Sequence, residues 1–153
     1  QQMKLNIGCG KSVIGGFDGV DSINFGQKYI CDVRQGLPFD DNTVDEVISG
    51  HFVEHLTGNE RIGFFNELYR VMKRGAVAHI ATPDYSHASA YGDPTHQWPP
   101  MSEWYVLYLN KTWRDRFAPH VKYTCNFKHD VEKRLVTVDG YEVDTLIATL
   151  SKI

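Results

Sequence analysis

The stretch Lys4-Leu5-Asn6-Ile7-Gly8-Cys9-Gly10 sets the reading of this chain. A short apolar strand, Lys4–Ile7, runs directly into a glycine-x-glycine turn. Glycine has no Cβ, so the backbone can turn sharply there and a ligand can approach it closely. The expectation is a nucleotide-like ligand on the C-terminal end of the first strand of an α/β sheet. An isolated glycine pair is an ordinary turn, so the residues that follow decide.

Two more strands end in carboxylates. The second, near Phe17–Val20, ends at Asp21, and the third, Tyr29–Cys31, ends at Asp32-Val33. A carboxylate after the second strand can accept both hydroxyls of a ribose. One after the third can accept an exocyclic amine, as on adenine, while amides near the glycines suit a carboxylate or phosphate. Each aspartate alone reads as a loop cap. In order, Gly8-x-Gly10, Asp21 and Asp32 read as a site for an adenosine-containing ligand at a switch point of the sheet. A dinucleotide needs a third glycine and an acid about 20 residues further on. Here Val13 occupies the glycine position and Asp21 arrives early.

Gly36-Leu37-Pro38-Phe39-Asp40-Asp41-Asn42 is a loop by its proline and Asp/Asn punctuation. A fourth strand, Val44–Ser49, precedes a helix over Asn59–Lys73. Phe64, Phe65, Leu68, Tyr69 and Met72 fall on one face of that helix, Arg70, Lys73 and Arg74 suit its last turn, and Gly75 is placed to end it. Ala76–Ala81 is a fifth strand, stopped by Thr82-Pro83. Strands alternating with helix or loop imply a mainly parallel sheet. The first two crossovers are too short for a full helix, so single turns or extended loops must replace helices there. Residues 84–125 are rich in aromatics, histidine and proline, and Ser102 can cap a helix over Glu103–Arg116 with Trp104, Leu107 and Tyr108 as core. Lys128–Val138 and Glu142–Lys152 form a hairpin through Asp139-Gly140. The expected fold is α/β, a Rossmann-like three-layer sandwich with abbreviated N-terminal helices and a C-terminal antiparallel hairpin.

From Lys4 to Asp84 the chain resembles the class I S-adenosylmethionine-dependent methyltransferases, in particular the small type 11-like group whose first motif reads Leu-Asn-x-Gly-Cys-Gly. The resemblance rests on Leu5–Gly10, Val20-Asp21, Cys31-Asp32-Val33, Leu37–Ile48, His51-x-x-Glu54-His55-Leu56 and Arg70–Gly75, in that order. It implies S-adenosylmethionine as cofactor. Gly8, Cys9 and Gly10 would lie along its methionine part. Asp21, with Ser22 beside it, would hold the ribose, and Ile23 would pack on adenine. Asp32 and Val33 would meet the adenine edge, and Gly50 and His51 would border the methyl group. Asn6 stands where the family has an acid, so ammonium recognition must rely on backbone carbonyls or water. Lys73-Arg74-Gly75-Ala76 replaces the usual Lys-Pro-Gly-Gly.

A length of 153 residues fits one domain, 1–153, with 84–125 as an insertion on the lid and acceptor side. The net charge of -3 gives no electrostatic argument for nucleic acid or anionic membrane. No apolar run approaches the roughly 20 residues a membrane span needs. Cys9, Cys31 and Cys125 lack metal-type spacing and read as reduced thiols, consistent with a cytoplasmic setting. No secretory leader is expected, and Met3 is read as the natural start. Relatives carry a covering segment before the first strand; a homodimer is another way to supply that cover.

His51 is the first candidate for a catalytic base, because imidazole titrates near neutrality; shaping the pocket is the equal alternative. Asp84, Tyr85 and His87 are further candidates. His51-x-x-Glu54-His55 also has the pattern of an inverted zinc-peptidase helix. A zinc hydrolase needs a long helix and a third ligand, so no metal is expected. The absence of Asn/Asp-Pro-Pro-Tyr and of Pro-Cys argues against base methylation and for a small-molecule or sugar-like acceptor. A module that binds the cofactor without turnover is the alternative.

Overall fold

A computed structural model describes all residues 1–153. Seven strands form one sheet: β1 (Lys4–Ile7), β2 (Asp18–Asp21), β3 (Tyr29–Ile30), β4 (Val44–Gly50), β5 (Met72–Pro83), β6 (Phe127–Val138) and β7 (Tyr141–Lys152). Their order is β3-β2-β1-β4-β5-β7-β6. β1 to β5 are parallel, while β7 runs antiparallel to both β5 and β6. The order reverses between β1 and β4, which opens a crevice beyond their carboxyl ends. The hairpin closes as expected at Asp139 and Gly140, both at positive φ.

Parallel register stacks the side chains into rows. Leu5, Val47, Ala78 and Leu150 are neighbours across four strands, and all are buried. Their row packs against the principal helix, α1 (Gly58–Val71), through Phe64, Phe65, Leu68 and Val71. The opposite rows are polar or half-exposed: Lys4, Glu46 and Val77 in one, Ile48, His79 and Thr149 in another. Lys4 and His79 pair there with Glu46, at 3.5 and 3.2 Å. The sandwich is therefore lopsided. As the crossover lengths required, residues 8–17 and 22–28 hold no helix.

Thr57 starts α1 with a capping box: its hydroxyl accepts from the Glu60 amide, and the Glu60 carboxylate accepts from the Thr57 amide. The helix ends at Val71, before the expected Lys73, because the loop before β4 takes its last carbonyls. The amides of Asn42 and Thr43 donate to the carbonyls of Arg70 and Val71. Met72 consequently leaves the helix and pairs in the sheet with Val44. Gly75, at positive φ, lies in the bulge that follows rather than at a helix cap.

Residues 84–125 contain α2 (Ser89–Gly92), a 3-10 segment Glu103–Leu109, and α3 (Lys111–Phe117). The single helix expected over Glu103–Arg116 is broken at Asn110, whose side chain caps α3 by accepting from the Trp113 amide. Ser102 makes no capping bond. The tighter 3-10 period buries Val106 and Leu109 and leaves Trp104 63% exposed, so Trp104 is not a core residue.

Arg70 ties the end of α1 to the loop before β4. It donates to Glu67, to Asp41 and to the carbonyls of Leu37 and Phe39, while Glu67 also accepts from the Leu37 amide. Arg70 and the Leu37 amide hold the Glu67 carboxyl below its ordinary range. A lowered carboxylate pKa adds stability above the ordinary value, and that stability is lost as pH falls through the folded value. Glu67→Gln should therefore cost about 1 kcal/mol near pH 7. The gap to wild type, measured by urea denaturation, should close on acidification below the ordinary glutamate pKa of 4.5.

Candidate functional site

The end of β1 is shaped by two left-handed glycines, Gly8 (φ 68°) and Gly10 (φ 53°). A Cβ on Gly8 would stand 2.3 Å from the Phe52 ring, so only a bare backbone fits beneath that side chain. The turn's amides are taken internally. Those of Gly8 and Cys9 donate to the Val20 carbonyl, and that of Gly10 donates to Asp21. The glycines therefore offer a ligand close approach and carbonyls rather than a ring of free amides.

Asp21 accepts the Gly10 amide on one carboxylate oxygen (2.9 Å) and the Ile23 amide on the other (3.0 Å). It has no cation beside it. Each oxygen therefore keeps acceptor capacity, as ribose hydroxyls need. Asp32 is held differently. It caps the 3-10 turn Val33–Gln35 and takes the Arg34 guanidinium in a forked pair, with contacts of 2.8 to 3.1 Å. Arg34 lowers the Asp32 pKa and leaves its carboxylate already paired.

A cleft of about 140 Å³ joins these groups; of the expected residues, Gly8, Asp21, Ser22, Asp32 and Val33 line it. Val20, Cys31, Arg34, Phe52, His55 and Leu56 complete the lining. Asn6 and Gly10 instead line a neighbouring cavity beneath the 10–19 loop, where the Asn6 side chain donates to the Ser12 carbonyl. The Cys9 side chain is buried, and burial raises its pKa. Ile23 lies outside the cleft and is 60% exposed.

Beyond β4 the chain turns at His51, a non-glycine residue at φ 55° whose amide donates to Ala81. His51 lines a second cavity of about 420 Å³ with Glu54, Asp93 and His96, while His55 lines both cavities. Gly50 lines neither. The Glu54 carboxylate, 3.7 Å from His51, holds its imidazole above the ordinary range. Among the other base candidates, Asp84 is fully buried and engaged by Ser86 and Lys133. Those partners more than offset burial and lower its pKa. His87 pairs with Ser89. Burial pushes the Cys125 thiol up to about 12, so it is no nucleophile.

The His51-x-x-Glu54-His55 stretch is not a peptidase helix. Its core is a single 3-10 turn, Val53–His55, entered from a strand end. Arg34 and Phe52 carry no motif of their own, and only the fold brings them to the crevice.

Residues 19–80 match a family model described as a methyltransferase domain. Solved structures resemble the whole chain. A S-adenosylmethionine-dependent methyltransferase from Archaeoglobus fulgidus superposes with a TM-score of 0.70 at 19% identity, over 99% of this chain and 86% of that one. One from Methanosarcina mazei gives 0.68 at 18%, over 100% and 94%. The phosphoethanolamine N-methyltransferase 2 of Haemonchus contortus, solved with S-adenosyl-L-methionine, gives 0.54 at 15%, over 99% and 48%. The fold is that of the S-adenosylmethionine-dependent methyltransferases. No curated protein matches the sequence. Within this methyltransferase fold, no helix is long and apolar enough to cross a membrane.

Gly8→Ala should destabilise the protein by about 2 kcal/mol or more, since it combines a left-handed L-residue with a clash against Phe52. Gly10→Ala meets open space and should cost only the conformational part, about 1 to 2 kcal/mol. Chemical denaturation of the pair separates the two contributions, with the larger loss expected at Gly8.

Proposed function

We propose that the protein is a S-adenosylmethionine-dependent methyltransferase acting on a small polar acceptor, such as a sugar-like hydroxyl or an amine. One observation carries the reading. The uncompensated Asp21 carboxylate and bare Gly8 backbone share a cleft, and a histidine-lined cavity adjoins that cleft through His55. Asp21 and Ser22 would hold the ribose, and Val33 with the Asp32–Arg34 pair would bound the base. Phe52 and Gly8 would face the amino-acid tail. When bound, the cofactor supplies an activated methyl group on a sulfonium, a good leaving group. The protein's task is then alignment, exclusion of water and, for a hydroxyl or ammonium acceptor, removal of a proton. His51 projects into the second cavity and is the group proposed to face the acceptor there.

Calorimetry with S-adenosylmethionine and S-adenosylhomocysteine tests the cofactor half. Asp21→Asn keeps the side-chain shape but removes the charge and should weaken binding about 10- to 100-fold. Unchanged affinity would overturn the assignment of Asp21. A panel of hydroxyl and amine acceptors, read by S-adenosylhomocysteine release, tests the transfer half. Tight cofactor binding with no turnover on any acceptor would favour a binding module over an enzyme.

A further inference from the structure

We propose that Glu54, His55 and His96 form a binding site for a divalent transition-metal ion, with Asp93 in reach as a further ligand. The first observation is Glu54 itself. Its side chain is only 6% exposed, and neither carboxylate oxygen has a hydrogen-bond partner. A buried carboxylate in that state is stabilised by positive charge beside it: His51 lies 3.7 Å away and the Arg61 guanidinium nearby, and no donor reaches either oxygen within hydrogen-bond distance. It faces a cavity whose walls include His51, His55, His96 and Asp93. One donor atom each from Glu54, His55 and His96 lie within 4.8 Å of one another.

The second observation is how the two imidazoles are held. The Thr95 hydroxyl donates its proton to Asp93, so towards His55 Nδ1, 2.8 Å away, it can only accept. His55 therefore carries its proton on Nδ1. His96 Nδ1 lies 3.2 Å from the Ala90 carbonyl, which also only accepts. Both rings thus keep Nε2 as the lone-pair nitrogen, the tautomer that metal-binding histidines adopt when an outer oxygen takes the other N–H. Nε2 of His96 lies 4.0 Å from Glu54 and 3.7 Å from Asp93.

The third observation is that the ligand-bearing segments are fixed to each other. The Gln97 amide donates to the Glu54 carbonyl. The buried Arg61 guanidinium donates to the carbonyls of Val53, Glu54, Gln97 and Pro99. The backbone is thereby pre-set, and only side chains need to close. Ligand atoms around zinc stand about 3.4 Å apart, so the contraction required is about 1 Å. Two histidines and a carboxylate with open positions suit zinc and neighbouring first-row ions. The zinc-peptidase pattern uses the two histidines of the motif on one helix. Here the set is Glu54, His55 and, 41 residues beyond His55, His96.

The test uses the full chain without a polyhistidine tag. After chelator treatment and dialysis, zinc is titrated against a chromophoric chelator, and bound metal is measured by elemental analysis. One equivalent of zinc per chain is expected. His55→Ala and His96→Ala should each weaken binding at least 100-fold, and Thr95→Val about tenfold through the orientation of His55. His87→Ala, outside the cluster, should bind as wild type does. Cobalt should give visible absorption bands that His96→Ala abolishes, and circular dichroism identifies any variant that fails to fold. Substoichiometric zinc in the wild type, or unchanged affinity in folded His55→Ala and His96→Ala variants, would overturn the proposal. In that case Glu54 is compensated by the neighbouring histidines and the Arg61 guanidinium.

Discussion

The length of the first two crossovers constrains everything else in this molecule. Residues 8–17 and 22–28 connect parallel strands without room for a helix. One face of the sheet therefore receives no helical layer, and the buried core must form on the other. That places the burden on α1, the one α-helix longer than two turns, whose Phe64, Phe65 and Leu68 share the buried cluster with residues of β1, β4, β5 and β7. Parallel strands usually read as continuous apolar runs because both faces are covered. Here they alternate. Glu46, His79 and Lys4 occupy positions that a helix would otherwise bury.

The same economy shapes the crevice. With no helix following β1, the glycine turn has no helix N-terminus to present. Its amides are taken by the Val20 carbonyl and by Asp21 instead. Asp21 thus serves structure and site together: it fixes the turn with two amides while keeping acceptor capacity towards the cleft. The forked Arg34 makes Asp32 chiefly a structural anchor for the turn after β3.

Most of the fold was legible in the sequence because local chemistry carried it. Gly8, Gly10 and Asp139-Gly140 mark turns by conformational need, and the 3.6-residue stripe of Phe64, Phe65 and Leu68 marks the helix. The errors fall where tertiary partners override local preference. Helix α1 stops early because Asn42 and Thr43, far away in sequence, claim its terminal carbonyls. Asn110 interrupts the later helix because its side-chain amide also donates to Phe127, a partner that exists only once the hairpin docks. Half of the cleft lining was visible as residues at strand ends. Arg34, Phe52 and His55 were not, since their place depends on how the 33–35 and 53–55 turns fold back.

Arg61 links these levels. It lies on the buried side of α1, yet its charge is met by four backbone carbonyls rather than by a carboxylate. Carbonyls satisfy the guanidinium's donors without neutralising it, so a net positive charge remains inside the protein. Glu54, whose own carbonyl Arg61 touches, carries the nearby negative charge. The helix that supplies the core therefore also fixes the turn bearing Glu54 and His55 against the loop bearing His96. Core packing and the geometry of the histidine-lined cavity are consequently one structural problem: α1 cannot shift without moving both halves of that cavity.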